Sequence, residues 1–362
     1  MNKLRKATYN MLLCANIIAI ALMLATGYAG CINPAEHPVM SLAGFAFPAF
    51  MLLNIAFLIM WICLRLRYVL VPAVGFILAY SPVQTYSPLN TFPEAPEGAI
   101  KVLSYNVMGF NNKEVPEGEP NPILQYIADA DADIVCIQEY SHCAGQDSLW
   151  TVIDNIYNYH DTLYAKPSSS NVAIYSKHPI LGKEHLTITS KGNTVGIFDV
   201  SINHRTVHVI NAHLETVGLS LEQKASFSSM VHGKTEKDSI RSESKALVQR
   251  LAESASIRCH QADAIDEYVR HHKDESIIFC GDINDHPLSY THNTIARHLN
   301  DCYRMAGHWP GYTMHYNSMH VRIDNIMCSD HWKPYTCKVD KSVNLSDHYP
   351  IFCLFEAKNV KE

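Results

Sequence analysis

Side chains that can bind a metal ion or move a proton stand at the ends of apolar runs in the second part of this chain. They close or open six successive runs, as Asn106, Glu139, His213, Asp282 with Asn284, Asp324, and Asp347 with His348. Carboxylate and amide oxygens are hard ligands that suit Mg²⁺ or Mn²⁺, and histidines beside carboxylates suit proton transfer. The set therefore indicates a polar site with metal-binding and acid–base capacity.

Taken singly, each of these residues has an ordinary explanation. An Asp-His pair beside a strand is usually part of a solvated loop, and Gly281-Asp282 could form a simple turn. The cysteines add no metal motif, because no two of the eleven form a CxxC pair, which disfavours a zinc site. It is the recurrence of polar residues at consecutive strand ends that favours a functional site.

The apolar runs themselves predict strands, because they are short and bounded by turn residues. The predicted strands are Lys101–Phe110, Ile134–Glu139, Val172–Ser176, Val195–Ile202, Thr206–His213, Ile277–Asp282, Val321–Cys328 and Tyr349–Phe355. Helical patterns cover Pro122–Ala130, Leu149–Tyr157 and Ser242–His272, whereas the polar segment Leu219–Asp238 predicts a mobile loop. Strands outnumber helices without strict alternation, which favours two packed sheets flanked by helices.

In their order along the chain, these motifs resemble those of the endonuclease/exonuclease/phosphatase superfamily, which includes deoxyribonucleases, abasic-site endonucleases, neutral sphingomyelinases and inositol polyphosphate phosphatases. The matching motifs are Ser104-Tyr105-Asn106-Val107, Gln138-Glu139, Asn211-Ala212-His213-Leu214, Gly281-Asp282-Ile283-Asn284, Arg322-Ile323-Asp324 and Ser346-Asp347-His348. The resemblance runs from about Ile100 to Phe355, and Arg258 and Gln261 also fit it. It implies a four-layer α/β sandwich, with a catalytic domain over residues 100–358.

The resemblance also implies a role for each residue. Glu139 would bind Mg²⁺ or Mn²⁺, and Asp347 would join it directly or through water. Asp282 would orient or deprotonate the attacking water, and His348, held by Asp324, would act on the phosphate or the water. His213 would stabilise the transition state or assist the leaving group. Asn284 would hold phosphate oxygens, and Asn106 is assigned both to phosphate and to the metal.

These roles imply divalent-metal-dependent hydrolysis of a phosphoester, with a phosphodiester favoured. The substrate stays open between a nucleic acid and a phospholipid or sphingomyelin head group, and no protein partner is inferred. A membrane receptor that keeps the fold without catalysis is the alternative, and it predicts the loss of at least one metal or proton-transfer residue. One departure from the family pattern is Asn325, where Tyr or His is common, and it leaves Asp324 intact.

The charge distribution divides the chain near residue 90. Residues 1–89 hold five Lys and Arg against Glu36, a net charge of +4, so the remaining residues carry −10 of the total of −6. A domain with that charge lacks the broad electrostatic attraction for phosphate backbones that drives non-specific nucleic-acid binding.

The first 89 residues predict a membrane anchor of three helices, about 11–28, 43–64 and 68–86, followed by a linker over 90–99. Lys3, Arg5 and Lys6 precede the first helix, and Arg65 and Arg67 precede the third. Since cationic loops stay cytoplasmic, the chain is predicted to be a multi-pass, bacterial-type membrane protein with its catalytic domain outside the cytoplasm. A cleaved signal peptide is the alternative for the first helix.

Overall fold

A computed structural model of the chain describes residues 3–164, 170–218, 237–315 and 320–358, and the part that follows residue 99 holds two six-stranded sheets. The first sheet has the order β11-β12-β1-β2-β4-β3, and the second has the order β5-β6-β7-β8-β10-β9. The strands are β1 Ile100–Asn106, β2 Ile134–Tyr140, β3 Tyr159–Leu163, β4 Asn171–Ser176, β5 Ile180–His185, β6 Val195–Ile202, β7 Arg205–His213, β8 Ser276–Asp282, β9 Asn300–Asp301, β10 Asp324–Cys328, β11 Trp332–Val339 and β12 Ile351–Ala357.

Each sheet contains one parallel pair, β1 with β2 and β7 with β8, and all its other described pairs are antiparallel. In a parallel pair the two carboxyl ends meet at one edge of the sheet. The antiparallel neighbours β12 and β10 begin at that same edge. Six strands, three in each sheet, therefore deliver their polar termini to one side of the domain.

Three apolar cores separate four layers, which confirms the predicted α/β sandwich. One core fills the space between the sheets and includes Cys136 and Cys280. A second lies between the first sheet and helices α5 (Pro122–Asp129) and α6 (Asp147–Ile156). A third lies between the second sheet and helices α7 (Lys237–His271) and α8 (Tyr290–Ile295), whereas α9 (Cys302–Ala306) packs into the core between the sheets.

The eight predicted strands are all present, with bounds that move by a few residues. The largest differences are at β1, which ends at Asn106 instead of Phe110, and at β10, which begins at Asp324 instead of Val321. The three predicted helices correspond to α5, α6 and α7. The predicted mobile loop Leu219–Asp238 lies outside the described residues, apart from its last two residues, which begin α7.

The N-terminal segment contains two helices long and apolar enough to cross a membrane, within Leu4–Gly27 and Met40–Leu64. They are helix α1 (Lys3–Gly27) and helix α2 (Phe47–Leu64) with the 3₁₀ turns before it. Their mutual contact includes a buried polar network in which Asn16 donates to Asn54 and accepts from Trp61. Small polar networks of this kind hold helices together where apolar side chains face lipid.

The predicted third span is broken. It divides into helix α3 (Leu70–Leu78) and helix α4 (Tyr80–Tyr86), and the pair counts as one candidate span bent by 67°. Pro82 explains the break, because a proline cannot donate to the carbonyl four residues earlier and its ring collides with that carbonyl in a continuous helix. The carbonyl concerned is that of Leu78, and the Tyr28 hydroxyl donates to it at 2.8 Å.

The predicted linker, residues 90–99, contains neither helix nor strand and ends immediately before β1. Its beginning is nevertheless fixed to the domain. The Asn90 side chain donates to the main-chain oxygens of Arg304 and Gly307, both at 2.9 Å. The N-terminal helices also touch the domain directly. Leu288 packs into an apolar cluster with Met23, Phe47 and Ala79 of the N-terminal segment.

Candidate active site

Asp282 lies at the centre of the polar edge. It ends β8, where it is paired in register with His213 of β7 on one side and with Asp324 of β10 on the other. Its carboxylate is buried, and it accepts hydrogen bonds from the Asn106 side chain at 3.0 Å and from the main chain of Asn284 at 2.8 Å. Burial, followed by the nearby charge of Asp324, raises the pKa of Asp282 to about 6.

Two histidines approach the same oxygen of Asp282. Nε2 of His213 and Nε2 of His348 each lie 3.7 Å from Oδ2. Both rings are buried. The space between them and the carboxylate is therefore enclosed by groups that can exchange or share protons, which is what general acid–base chemistry requires.

The two histidines differ in their second ring nitrogen. Nδ1 of His348 is 2.8 Å from the Asp324 carboxylate, whereas Nδ1 of His213 is 2.7 Å from the Ser170 hydroxyl. Burial opposes the charged form of His348, but the charges of Asp324 and Asp282 outweigh it and hold the pKa of His348 well above its usual value. Burial lowers the pKa of His213. One ring is thus stabilised as the cation and the other as the neutral base.

Glu139 reaches the site through a distortion of β2. The pairing between β2 and β4 shifts register between Gln138 and Tyr140, and Glu139 takes a positive φ of 54°. A bulge of this kind re-aims one side chain at a sheet edge. Its Oε1 accepts from the Asn106 amide at 3.2 Å and lies 3.7 Å from Nε2 of His213, while the side chain remains 38% exposed.

The residues predicted to bind a metal ion can be compared by the donor atoms that they offer. Glu139 and Asp347 offer carboxylate oxygens that are not fully buried, with side chains 38% and 13% exposed. Oxygen donors that keep contact with water fit Mg²⁺ or Mn²⁺. Asn106 differs, because its oxygen accepts from the main chain of Met108 and its NH₂ group faces Glu139 and Asp282. The Asn106 side chain therefore presents its NH₂ group to the site, and its oxygen faces the main chain.

Within the described part of the chain, one group of three residues also lies close enough together to hold a metal ion. Ligand atoms of Asp282, Asp324 and His348 all lie within 4.8 Å of one another. Two of these residues are already joined by the His348–Asp324 hydrogen bond, and Oδ1 of Asp324 is buried without a partner among the described residues. The cluster is thus a buried group of titratable side chains, and Glu139, 38% exposed, is the more accessible carboxylate beside it.

Other motif residues support the site from inside the protein. Gln138 donates to Oδ1 of Asn211 at 2.7 Å, which joins the two sheets directly beneath the polar edge. Asn284 donates to the main-chain oxygen of Leu214 at 3.0 Å, and its own φ is positive. Arg258, on α7, donates to the carboxylate of Asp285 at 3.2 Å. Gln138, Asn211 and Arg258 are therefore structural members of their motifs.

Two contacts that support residues of the site were not predicted from sequence. Ser170 reaches His213 from an otherwise undistinguished polar stretch, and no spacing pattern marks it. Arg322, in the Arg322-Ile323-Asp324 motif, points away from the site and donates to the main-chain oxygens of Thr85 at 2.5 Å and Pro310 at 2.8 Å. Asn325 is buried and bonds only locally, to the Ile323 oxygen, so the departure at this position leaves the Asp324–His348 pair in place.

Comparison with protein families gives two matches. The Endonuclease/Exonuclease/phosphatase family matches residues 103–348, and a domain of unknown function (DUF8431) matches residues 9–86. The first match contains every site residue described above. The second covers the three apolar helical segments and stops at the end of α4. Comparison with curated proteins gives no match.

Solved structures share the fold at low sequence identity. An endonuclease/exonuclease/phosphatase from Beutenbergia cavernae superposes with a TM-score of 0.52 at 16% identity, covering 72% of each chain. The human nocturnin catalytic domain gives 0.49 at 16% identity, covering 72% of this chain and 95% of that one. Sphingomyelinase C from Streptomyces griseocarneus gives 0.45 at 16% identity, covering 72% and 99%. The likeness to the Beutenbergia cavernae structure supports the fold, and nothing beyond the fold.

Proposed function

Since the chain belongs to the Endonuclease/Exonuclease/phosphatase family, we propose that it hydrolyses a phosphodiester with the help of a divalent metal ion. The observation that carries this proposal is the convergence of His213 and His348 on one oxygen of Asp282. A passive binding domain has no need of two buried histidines that each lie within 4 Å of one buried carboxylate oxygen. No described residue favours the alternative of a non-catalytic receptor. Every side chain predicted to bind metal or transfer a proton is present and lies at the polar edge of the two sheets.

Asp282 is the group that takes a proton from water. A carboxylate with a pKa of about 6 is largely ionised at neutral pH and is still basic enough to accept a proton. The Asn106 amide and the main-chain NH of Asn284 hold the two carboxylate oxygens in fixed directions. As the water oxygen bonds to phosphorus, its proton passes to Asp282, and the P–O bond to the leaving alcohol breaks.

His348 acts as a cationic donor to a phosphate oxygen. Asp324 fixes the ring through Nδ1 and leaves Nε2 directed at the centre of the site. A charged donor placed there stabilises the negative charge that develops on the phosphate oxygens. His213 is neutral. In the tautomer in which Ser170 donates to Nδ1, its Nε2–H donates a hydrogen bond to the departing oxygen, which then takes a proton from solvent. Asn284 keeps one amide hydrogen for a phosphate oxygen, whereas Asn106 uses both of its amide hydrogens on Glu139 and Asp282.

Glu139 and Asp347 are the residues that would hold Mg²⁺ or Mn²⁺. When bound, such an ion neutralises phosphate charge and makes a nearby water more acidic. Asn106 is better placed to position the carboxylates of Glu139 and Asp282 than to bind the ion or the phosphate, because its oxygen accepts from the Met108 main chain and its NH₂ group donates to both carboxylates.

We also propose that residues 3–86 anchor the protein in a membrane and that the catalytic domain lies outside the cytoplasm. Arg5 and Arg65 both lie over the Tyr9 ring, which packs on Trp61, so the cationic residues gather at one end of the helices. The domain contacts the opposite end, through Leu288. This separation is the one expected if the cationic end is cytoplasmic.

The function is tested by incubating the full chain, in detergent or in bilayer discs, with bis(p-nitrophenyl) phosphate and Mg²⁺ or Mn²⁺. Release of p-nitrophenol by the native chain but not by Asp282→Asn is the expected result. Equal release by the two proteins would disprove the assignment of the site.

A further inference from the structure

The catalytic edge of the domain is the edge that faces the N-terminal helices. Beyond Asp282 the chain continues to His286, whose ring lies 4.3 Å from that of Phe45 in the segment between α1 and α2. Before Asp324 it passes through Arg322, which bonds to the carbonyl of Thr85 at the end of α4. Two of the strands that build the site are therefore attached to the membrane anchor within four residues of their catalytic side chains.

Two neighbouring cavities lead from the site towards the same segment. The first has a volume of about 590 Å³ and contains Glu139, His213, Lys191 and Arg250 in its wall. The second, of about 510 Å³, is bounded by Pro38 and Val39 of the segment between α1 and α2 and by Val248 and Ala252 of α7. Glu253 lines both cavities, so they adjoin.

The two cavities differ in chemistry. The cavity at the site offers cationic and carboxylate groups that suit a phosphate and a metal ion. The exposed surface of the second is mainly apolar, from Pro38, Val39, Val248 and Ala252, although Lys245, Gln249, Glu253 and Ser256 of α7 also line it. Val39 is 59% exposed at the end of the anchor that meets the domain. A polar cavity beside an apolar one, both next to the surface of a bilayer, matches a molecule with a phosphate at one end and hydrocarbon at the other.

Building on the hydrolase function proposed above, we propose that the substrate is a membrane phospholipid or a related amphiphile. Its phosphodiester occupies the cavity at Glu139 and His213, and part of its apolar chain rests between Val39 and Val248. A nucleic acid fits less well, because the residues after position 89 carry a net charge of −10 and would repel a polyanion.

The test uses the full chain in vesicles of phosphatidylethanolamine, phosphatidylglycerol and sphingomyelin, with Mg²⁺ or Mn²⁺ and mass-spectrometric detection of the lipid products. Bis(p-nitrophenyl) phosphate and single- and double-stranded oligonucleotides are the soluble comparisons. We expect at least one of the lipids to be hydrolysed faster than the oligonucleotides. Hydrolysis of the soluble diester with all lipids intact, or faster hydrolysis of the oligonucleotides, would overturn the lipid proposal. Failure to hydrolyse any of these compounds would instead overturn the proposed hydrolase function.

A matched pair of variants tests the apolar cavity. Val248→Glu places a charge in its wall, and Val152→Glu places the same charge on the similarly exposed surface of α6, in the layer outside the first sheet. The ratio of lipid to soluble-diester turnover should fall about tenfold or more in Val248→Glu and stay within about twofold in Val152→Glu, since burying a carboxylate beside hydrocarbon is costly. An unchanged ratio in Val248→Glu would refute this mode of lipid binding.

Discussion

Arg322 donates a hydrogen bond to the main-chain oxygen of Thr85, so the side chain two positions before Asp324 holds the end of the last N-terminal helix. We predict that Arg322→Gln lowers kcat about tenfold with little change in KM, because small displacements of catalytic groups are costly in rate. The rate is measured on the full chain together with its melting temperature.

The control for this variant is Arg304→Gln. Arg304 also contacts helix α4, through the Ser81 hydroxyl at 3.4 Å, but it lies on α9, which carries no site residue. Its kcat should stay near that of the native chain. An equal loss in both variants would mean that loosening the helix is harmful in itself and that Arg322 has no special role in positioning Asp324.

Asp282→Asn should abolish turnover while leaving the fold intact. Asn keeps the shape of the side chain but cannot take a proton, and acid–base groups typically contribute about 10²–10⁴-fold in rate. Melting should be little changed or slightly raised, because the raised pKa shows that the ionised form is disfavoured in the folded protein. Combining it with His348→Ala should give less than the product of the two losses, since both act on one transition state.

Asp301→Asn is the matched control, because Asp301 is also a buried carboxylate beside a histidine. Its Oδ2 lies 3.1 Å from Nε2 of His292, outside the site. Although burial opposes ionisation, the pairing with His292 holds the pKa of Asp301 below its ordinary value, so the charge contributes stability at neutral pH. This variant should melt earlier with nearly normal kcat. The opposite pattern in the two variants would contradict the assignment of Asp282 as the base.

The rate should follow a bell-shaped dependence on pH. Asp282 must be ionised to accept a proton, so kcat/KM should rise with pH through about 6, or through a lower pH when a bound cation adds positive charge. At high pH the rate should fall as His348 loses its proton, above the ordinary histidine range. Asp324→Asn removes the charge that outweighs burial at His348, so this falling limb should move to lower pH. A limb that stays in place would exclude His348 as the titrating group.

Metal dependence is the fourth expectation. A chelator should abolish hydrolysis, and Mg²⁺ or Mn²⁺ should restore it, because the partly exposed carboxylates of Glu139 and Asp347 are hard oxygen ligands. Glu139→Gln should raise the metal concentration needed for half-maximal rate by about tenfold or more, as conversion of a charged ligand to an amide weakens ion binding. Asp131→Asn, at an exposed ion pair with Lys177, should have no such effect. Full activity in excess chelator would rule out the metal.

The membrane orientation can be measured with a reporter fused after Glu362. We expect it to register outside the cytoplasm, since Arg5 and Arg65 share the end of the helices that is remote from the domain. Moving positive charge to the other end, by His37→Arg with Glu36→Lys, should reduce the fraction in this orientation. A cytoplasmic signal from the native chain would show that α3 does not complete a crossing.

The sequence was sufficient to predict the interior of the fold and the convergence of the site residues. What it missed follows a physical rule, because the four unpredicted strands β3, β5, β9 and β11 are the four outer edges of the two sheets. An edge strand is hydrogen-bonded on one side only and is more exposed, so its residues are not confined to apolar types. In β5, for example, most side chains are exposed and the apolar pattern is lost.

The positions of the candidate residues at strand ends were predicted, but the contacts that hold them were not, and their chemical roles stay predictions. Asp282, His213 and His348 stand next to apolar runs, so their positions could be inferred from strand ends. Ser170 and Arg322 act through contacts across the fold, with His213 and with Thr85, and a linear sequence does not show which distant groups meet. The broken third helix was also not predicted, although Pro82 is its cause.

In the membrane anchor proposed above, the break at Ala79 would leave the third crossing short. Helix α4 is fastened to the domain by Arg322, so the path through hydrocarbon falls to Leu66–Leu78, which spans about 20 Å at 1.5 Å per residue. A bilayer core is about 30 Å thick, and a short segment is accommodated by local thinning or by tilting of its surroundings. On that proposal, lipid composition would influence the folding of this chain, and lipids with shorter acyl chains should accommodate the anchor better.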